Sequence, residues 1–284
     1  MNPDDIDPTI LLQNTMPQED FCGLNANEMH LLLYSPYSIR SPIKLNEGIE
    51  PVAFDMIPFF RLTEEFLKIL QRDKAMKLTT KGALPKKVVV ELYSHRFILD
   101  QGIEAGIHKL SREADSLAIS NTVDIAHMAG LMKKQYGRYY LTKEGVKLLL
   151  PQNRSELLKR VLWAFTERFP WDNNDGYPEE VGQMGWAYSL YLIHKFGDLE
   201  RNASFYAEAY QKAFPRLMEA LWRPTPSYTS PQVQFVDCYA IRTFKRFMEW
   251  FGLVKINQIN IFRDPSLGTV MKTELVNRLF IFAE

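Results

Sequence analysis

His127-Met128-Ala129-Gly130-Leu131-Met132-Lys133-Lys134-Gln135-Tyr136-Gly137-Arg138-Tyr139-Tyr140-Leu141-Thr142-Lys143-Glu144-Gly145 changes its hydrophobic period twice within nineteen residues. Upstream of it, Leu117, Ile119, Val123, Ile125, Ala126 and Met128 form the apolar side of a helix. Gly130 stands where a helix stops in left-handed geometry, a conformation that carries no steric penalty without a Cβ. Leu131–Lys134 and Tyr139–Thr142 then read as two extended pieces joined through Gln135-Tyr136-Gly137-Arg138. Thr142 is placed to cap a helix over Lys143–Leu150, and Pro151 follows at once. The expectation is a helix ending at Ala129, a β-ribbon that folds back at Gly137, and a new helix.

The flanking sequence extends this pattern in both directions. Residues 1–24, broken by Pro3, Pro8 and Pro17, read as an arm, and Asn25 can cap a helix through Glu28 to Tyr34. Ser35–Pro42 is irregular. Phe59, Phe60, Leu62, Phe66, Leu67, Ile69 and Leu70 recur at three-to-four spacing, predicting an amphipathic helix over about 59–72 with Pro58 in its first turn. Met76-Lys77-Leu78-Thr79 alternates as a short strand turned by Thr80-Lys81-Gly82, and Pro85 opens a helix through Tyr93. His95–Gly106 reads as a loop or short irregular helix, and the next helix spans Ser111–Ala129.

Downstream, Ser155 is expected to cap a helix reaching Phe169. Trp171–Pro178 is a loop in which Asp175-Gly176 supplies a positive φ. Helices are expected at about 179–196, 202–222 and 232–251. The last ends Trp250-Phe251-Gly252-Leu253-Val254-Lys255, which matches Met128-Ala129-Gly130-Leu131-Met132-Lys133 in character. A strand pair near Lys255–Arg263 and Lys272-Thr273-Glu274-Leu275-Val276 continue the echo of the earlier hairpin and Thr142-Lys143-Glu144-Gly145-Val146. Gly130 and Thr142 are twelve residues apart, Gly252 and Thr273 twenty-one. A longer second hairpin would absorb the difference. A shared preference of helix-to-strand junctions for Gly and an apolar run would also explain the match.

With 284 residues, 46% apolar and 24% charged, the chain has the composition of a soluble globular protein large enough to need no staples. Cys22 and Cys238 are far apart and lack any metal-ligand spacing, which fits a reducing compartment. No apolar run approaches a membrane span, and the acidic start carries no leader pattern, so a cytoplasmic location is expected. The formal net charge is zero but segregated. Residues 1–60 hold two Lys/Arg against nine Asp/Glu, net −7, and residues 61–168 hold twenty against twelve, net +8. Such segregation is the footprint of a polyanion partner. The alternative is that the acidic arm neutralises the basic middle.

The passage His127–Gly145 resembles the C-terminal half of bacterial winged-helix domains. The whole chain is similar to a group of uncharacterised bacterial proteins bearing paired Leu-Thr-x-x-Gly phrases, here Leu78–Gly82 and Leu141–Gly145. The first resemblance covers about residues 76–150. It implies that the helix before the hairpin enters the major groove of DNA while the wing reaches a phosphate or the minor groove. Ser120, Asn121, Asp124 and His127 would then face outward on that helix, and Lys133, Lys134 and Arg138 would be wing contacts. Asp124 and the lack of any basic residue on the helix depart from a base-reading pattern and leave phosphate contact by the wing.

No residue pattern points to catalysis. His30, His95, His108, His127 and His194 have no partner at metal-ligand spacing, and Asp172–Gly176 fails the calcium-loop pattern because Trp171 and Gly182 fall on ligand positions. No dinucleotide, phosphate-loop or nucleophile-elbow phrase occurs. The aromatic series Trp186 to Tyr210 reads as core. No cofactor and no metal is expected. The expected architecture is mainly α with small β-wings: an acidic arm over 1–58, a winged-helix-like module over 59–151, a helical layer over 152–223 and a second such module over 224–284, or one continuous globule. Two functions stand open: a DNA-binding regulator that contacts phosphates through its wing, and a scaffold that uses winged-helix folds to bind a protein partner.

Overall fold

The computed structural model describes residues 12–177, 180–221, 230–257 and 268–283. In chain order the first half contains α1 (Ala26–Tyr34), β1 (Ile43–Leu45), α2 (Pro51–Asp55), α3 (Pro58–Asp73), β2 (Met76–Lys77), α4 (Lys86–Ser94), α5 (Gln101–Glu104), α6 (Leu117–Met128), β3 (Met132–Gln135), β4 (Arg138–Leu141), α7 (Lys143–Leu148) and α8 (Arg154–Trp163). The second half contains α9 (Trp186–Phe196), β5 (Arg201–Asn202), α10 (Ala203–Ala213), α11 (Leu217–Leu221), α12 (Pro231–Tyr239), β6 (Val254–Asn257), β7 (Thr269–Lys272), α13 (Leu275–Leu279) and β8 (Phe280–Phe282). The protein is mainly α with small β elements. Among the described residues no helix is long and apolar enough to cross a membrane.

The chain forms two compact units: Glu47–Pro170 with Trp250–Gly252, and Met1–Asn46 with Trp171–Glu249 and Leu253–Glu284. These bounds do not coincide with the four consecutive segments expected from sequence.

In the first unit, α3 carries Phe59, Phe60, Phe66, Leu67 and Leu70 on one fully buried side, as its spacing requires. Phe59 stacks on Trp250 at 5.6 Å and meets the edge of Phe165 at 5.3 Å. The antiparallel sheet has the order β2-β4-β3, so the short strand before α4 joins the hairpin that follows α6. Helix α8 begins at Arg154, without the expected cap from Ser155, because the Pro151–Asn153 turn leads straight into it. Arg154 binds the buried Glu64 twice at 2.8 Å and Asp55 at 2.9 Å, and its guanidinium lies over Phe54 and Phe60. The helix expected from Ser111 begins only at Leu117. Asp115 instead accepts the Ser111 and Arg112 amides and the Ser111 hydroxyl, which holds that stretch in a turn.

The second unit has a three-stranded antiparallel sheet of order β5-β7-β6 and a pair formed by β1 and β8. Asn25 caps α1 in a capping box with Glu28. Of the aromatic series, Trp186, Tyr188, Tyr206 and Tyr210 are buried in the core, while Tyr191, Phe196 and Phe205 are half-buried. The helix expected from 179 starts at Trp186, after Gly182 and Gly185 with positive φ. The helix expected over 202–222 divides before Pro215, which forces Phe214 out of helical geometry. Beyond α12 the helix continues in π geometry over Ala240–Met248. Gly176 does not have the expected positive φ. Its loop is held by Asp175, which accepts from Arg242 at 2.7 and 3.1 Å and from Arg246 at 2.6 Å. Strand β6 pairs with β7, and residues 258–263 of the expected strand pair lie outside the described residues.

The two units share a backbone pattern of helix, short strand, three helices and hairpin. Gly130 and Gly252 both have φ of 70°. The Leu131 and Leu253 amides each reach back five residues, to the Ala126 and Met248 carbonyls. Thr142 then donates to Leu131 as Thr273 does to Leu253, and Leu78 donates to Gly137 as Ala203 does to Gly268.

Candidate nucleic-acid interface

Strand alternation sorts the side chains of the β2-β4-β3 sheet onto two faces. Met76, Met132 and Tyr139 are buried and define the inner one. Lys77 pairs with Arg138, Arg138 with Gln135, and Lys133 with Tyr140, which puts these five on the outer face. Lys77, Lys133, Gln135 and Arg138 are exposed, and Tyr140 is half-buried. The ten residues of the three strands contain four cations and no carboxylate. Tyr136 and Gly137 both have positive φ, 51° and 68°, as a two-residue hairpin turn requires. That geometry holds the Tyr136 ring at the tip, 89% exposed.

The wing cations predicted from sequence divide between the faces. Lys133 is on the outer face and has no ion-pair partner among the described residues. Arg138 is also on the outer face, with one guanidinium nitrogen donating to the Ala75 carbonyl at 3.3 Å. Lys134 belongs to the inner side, opposite Tyr139. Its Nζ donates to the Gly82 carbonyl at 3.2 Å and lies 5.8 Å from the centre of the Tyr139 ring. Lys134 also sits in the field of Glu113, whose carboxyl is raised by burial and accepts the Leu84 amide at 2.7 Å. Burial, with Glu113 and Asp124 nearby, pushes the Tyr139 phenol up to about 12. Lys134 is thus tied to Gly82 on the inner side of the sheet, while Lys133 and Arg138 lie on the outer face.

Helix α6 supplies less surface than expected. Asn121 is 2% exposed, with its Nδ2 lacking a partner, so it does not face outward. Ser120 is half-buried, while Asp124, His127 and Met128 are exposed. Desolvation raises the Asp124 carboxyl. The exposed stripe therefore offers one acid, one imidazole and a thioether, and no cation. The counterpart helix of the second unit, α12 with its π continuation, exposes only Gln232 and Val233.

The sequence did not single out Lys77, Gln135 or Tyr140. The alternation of Met76-Lys77 contained the signal, but only its pairing with β4 places Lys77 beside Arg138. Beside β2 lies an open groove of about 560 Å³ with Lys77, Thr79, Pro85 and Lys87 among its walls. Among the described residues, no group of three or more His, Cys, Asp or Glu side chains could hold a metal ion. Comparison with protein-family models, with curated proteins and with solved structures found no match.

Proposed function

We propose that the chain consists of two winged-helix-like modules and binds nucleic acid through its phosphates, using the outer face of the β2-β4-β3 sheet. The observation that carries this reading is the juxtaposition of Lys77, Arg138 and Lys133 on one exposed, carboxylate-free sheet face. Phosphate contacts position a protein without reading sequence, and they need exposed cations rather than a polar recognition helix. Helix α6, with Asn121 buried and Asp124 at its surface, supports backbone binding over base readout.

The test is fluorescence anisotropy against duplexes of different sequence over a salt series. Replacing Lys77, Lys133 and Arg138 together by Ala should weaken binding evenly across sequences. For duplex DNA the slope of log K against log salt should flatten by about 0.9 for each phosphate that is no longer neutralised. Lys134→Ala should leave that slope unchanged. Equal affinity of the triple variant and the natural protein would remove the sheet from the reading.

A second reading is favoured by the burial of the helix before each hairpin, α6 and α12: the winged-helix folds serve a protein partner. A defined oligomer by light scattering, together with no duplex affinity at low salt, would support it.

A further inference from the structure

The outer sheet face also holds an aromatic ring, Tyr140, among its cations, and the geometry points to single-stranded nucleic acid as its preferred ligand. This inference rests on the phosphate-binding reading above and adds the chemistry of the bases. Two observations separate a single strand from a duplex. First, the exposed stripe of α6 holds one acid, Asp124, and no cation, which suits it poorly to a major groove. Second, Tyr140 lies on the outer face directly opposite Lys133, and Tyr136 stands exposed at the turn of the same hairpin. A duplex hides its base faces within the stack, where these rings cannot reach them. A single strand presents a π-face at every base, and stacking on tyrosine tolerates any sequence.

The cations are spaced to follow a backbone. Lys133, Arg138 and Lys77 lie on successive strands across the sheet, and Lys87 lines the groove beside β2, together with Asp73. A strand laid across β3, β4 and β2 would keep its phosphates on this track and stack bases on Tyr140 and Tyr136. Gln135, paired with Arg138, adds a neutral donor and acceptor on the same face.

The experiment compares a fluorescein-labelled sixteen-nucleotide single strand of mixed sequence with the same sequence as duplex, at low salt, using the full chain. Tyr136→Asn keeps a residue suited to positive φ, and Tyr140→Thr keeps a strand-forming one, so the double variant should fold. Its circular dichroism should match that of the natural protein. Tighter binding of the single strand is expected, with a roughly five- to hundredfold loss in the double variant and full affinity in Tyr140→Phe. Equal affinity for both forms, with the double variant unchanged, would overturn this inference and leave phosphate binding standing. Failure to bind either form would remove both.

Discussion

Gly145 and Gly130 are both required to be glycine, for different physical reasons. At Gly145 the first turn of α7 passes so close to the preceding junction that a Cβ would collide with the Leu131 carbonyl oxygen. That oxygen already accepts the Thr142 amide at 3.0 Å, so it cannot move without breaking the junction. At Gly130 a Cβ would meet open space, and only the φ of 70° opposes a side chain. Gly130→Ala should therefore cost about 1–2 kcal/mol, the usual left-handed penalty. Gly145→Ala should cost more, about 2–3 kcal/mol, because backbone has to shift to relieve overpacking. Urea unfolding of the two variants checks the order, and a milder effect at Gly145 would refute the steric account. The two Leu-Thr-x-x-Gly phrases thus share letters but not mechanics. In the other phrase Gly82 has a φ of 79°, and its nearest neighbour is the flexible end of Lys134.

Among the elements, the β1–β8 pair is linked to a titratable group. His194 stacks on Phe282 with ring centroids 3.7 Å apart, and its Nδ1 lies 3.1 Å from Asn277 Oδ1. Burial holds the imidazole below its ordinary value, and nearby Lys272 adds to that; the Asn277 contact and Asp198 act the other way. A base whose folded pKa is depressed takes up its proton more readily when unfolded. Stability is then complete above about pH 6.5, the unfolded value, and falls as pH drops through the folded one. Urea midpoints should decline from pH 7.5 to 5.5 in the natural protein, and His194→Gln should decline less. Parallel declines would remove His194 as the cause. Sequence alone revealed little of this arrangement. Periodicity located α3, and Gly130, Gly137 and Thr142 located the hairpin and the cap of α7, because those signals are local. Pairing of β1 with β8, of β2 with β4, and the inward placement of Lys134 depend on residues far apart in the chain. An outward Asn121 requires one free helical face at that position, whereas seven of the twelve residues of α6, Asn121 among them, are buried.

Across the whole molecule, the echo noticed in sequence has a backbone counterpart that a preference for glycine at helix ends does not explain. Such a preference would account for Gly130 and Gly252, but not for the matching sheet orders β2-β4-β3 and β5-β7-β6. Nor would it place Leu78-to-Gly137 and Ala203-to-Gly268 hydrogen bonds at corresponding points. The spacing difference closes as well. The first hairpin has two residues between its strands, 136–137, and the second has eleven, 258–268, a difference of nine. That equals the excess of the Gly252-to-Thr273 spacing of twenty-one over the Gly130-to-Thr142 spacing of twelve. All the extra length up to the threonine therefore lies in the hairpin connection; the junction and strands keep their offsets, and α13 starts one residue later after Thr273 than α7 does after Thr142. If the two modules are equivalent, residues 258–268 can be replaced by Tyr-Gly, the turn of the first hairpin. The introduced glycine would occupy the place of Gly268 and offer its carbonyl to Ala203. The shortened protein should unfold cooperatively, with its midpoint unchanged or raised, since a shorter loop loses less entropy on closure. Loss of the cooperative transition, with the secondary-structure signal reduced, would show that the second hairpin needs its long connection and that the likeness ends at the strands.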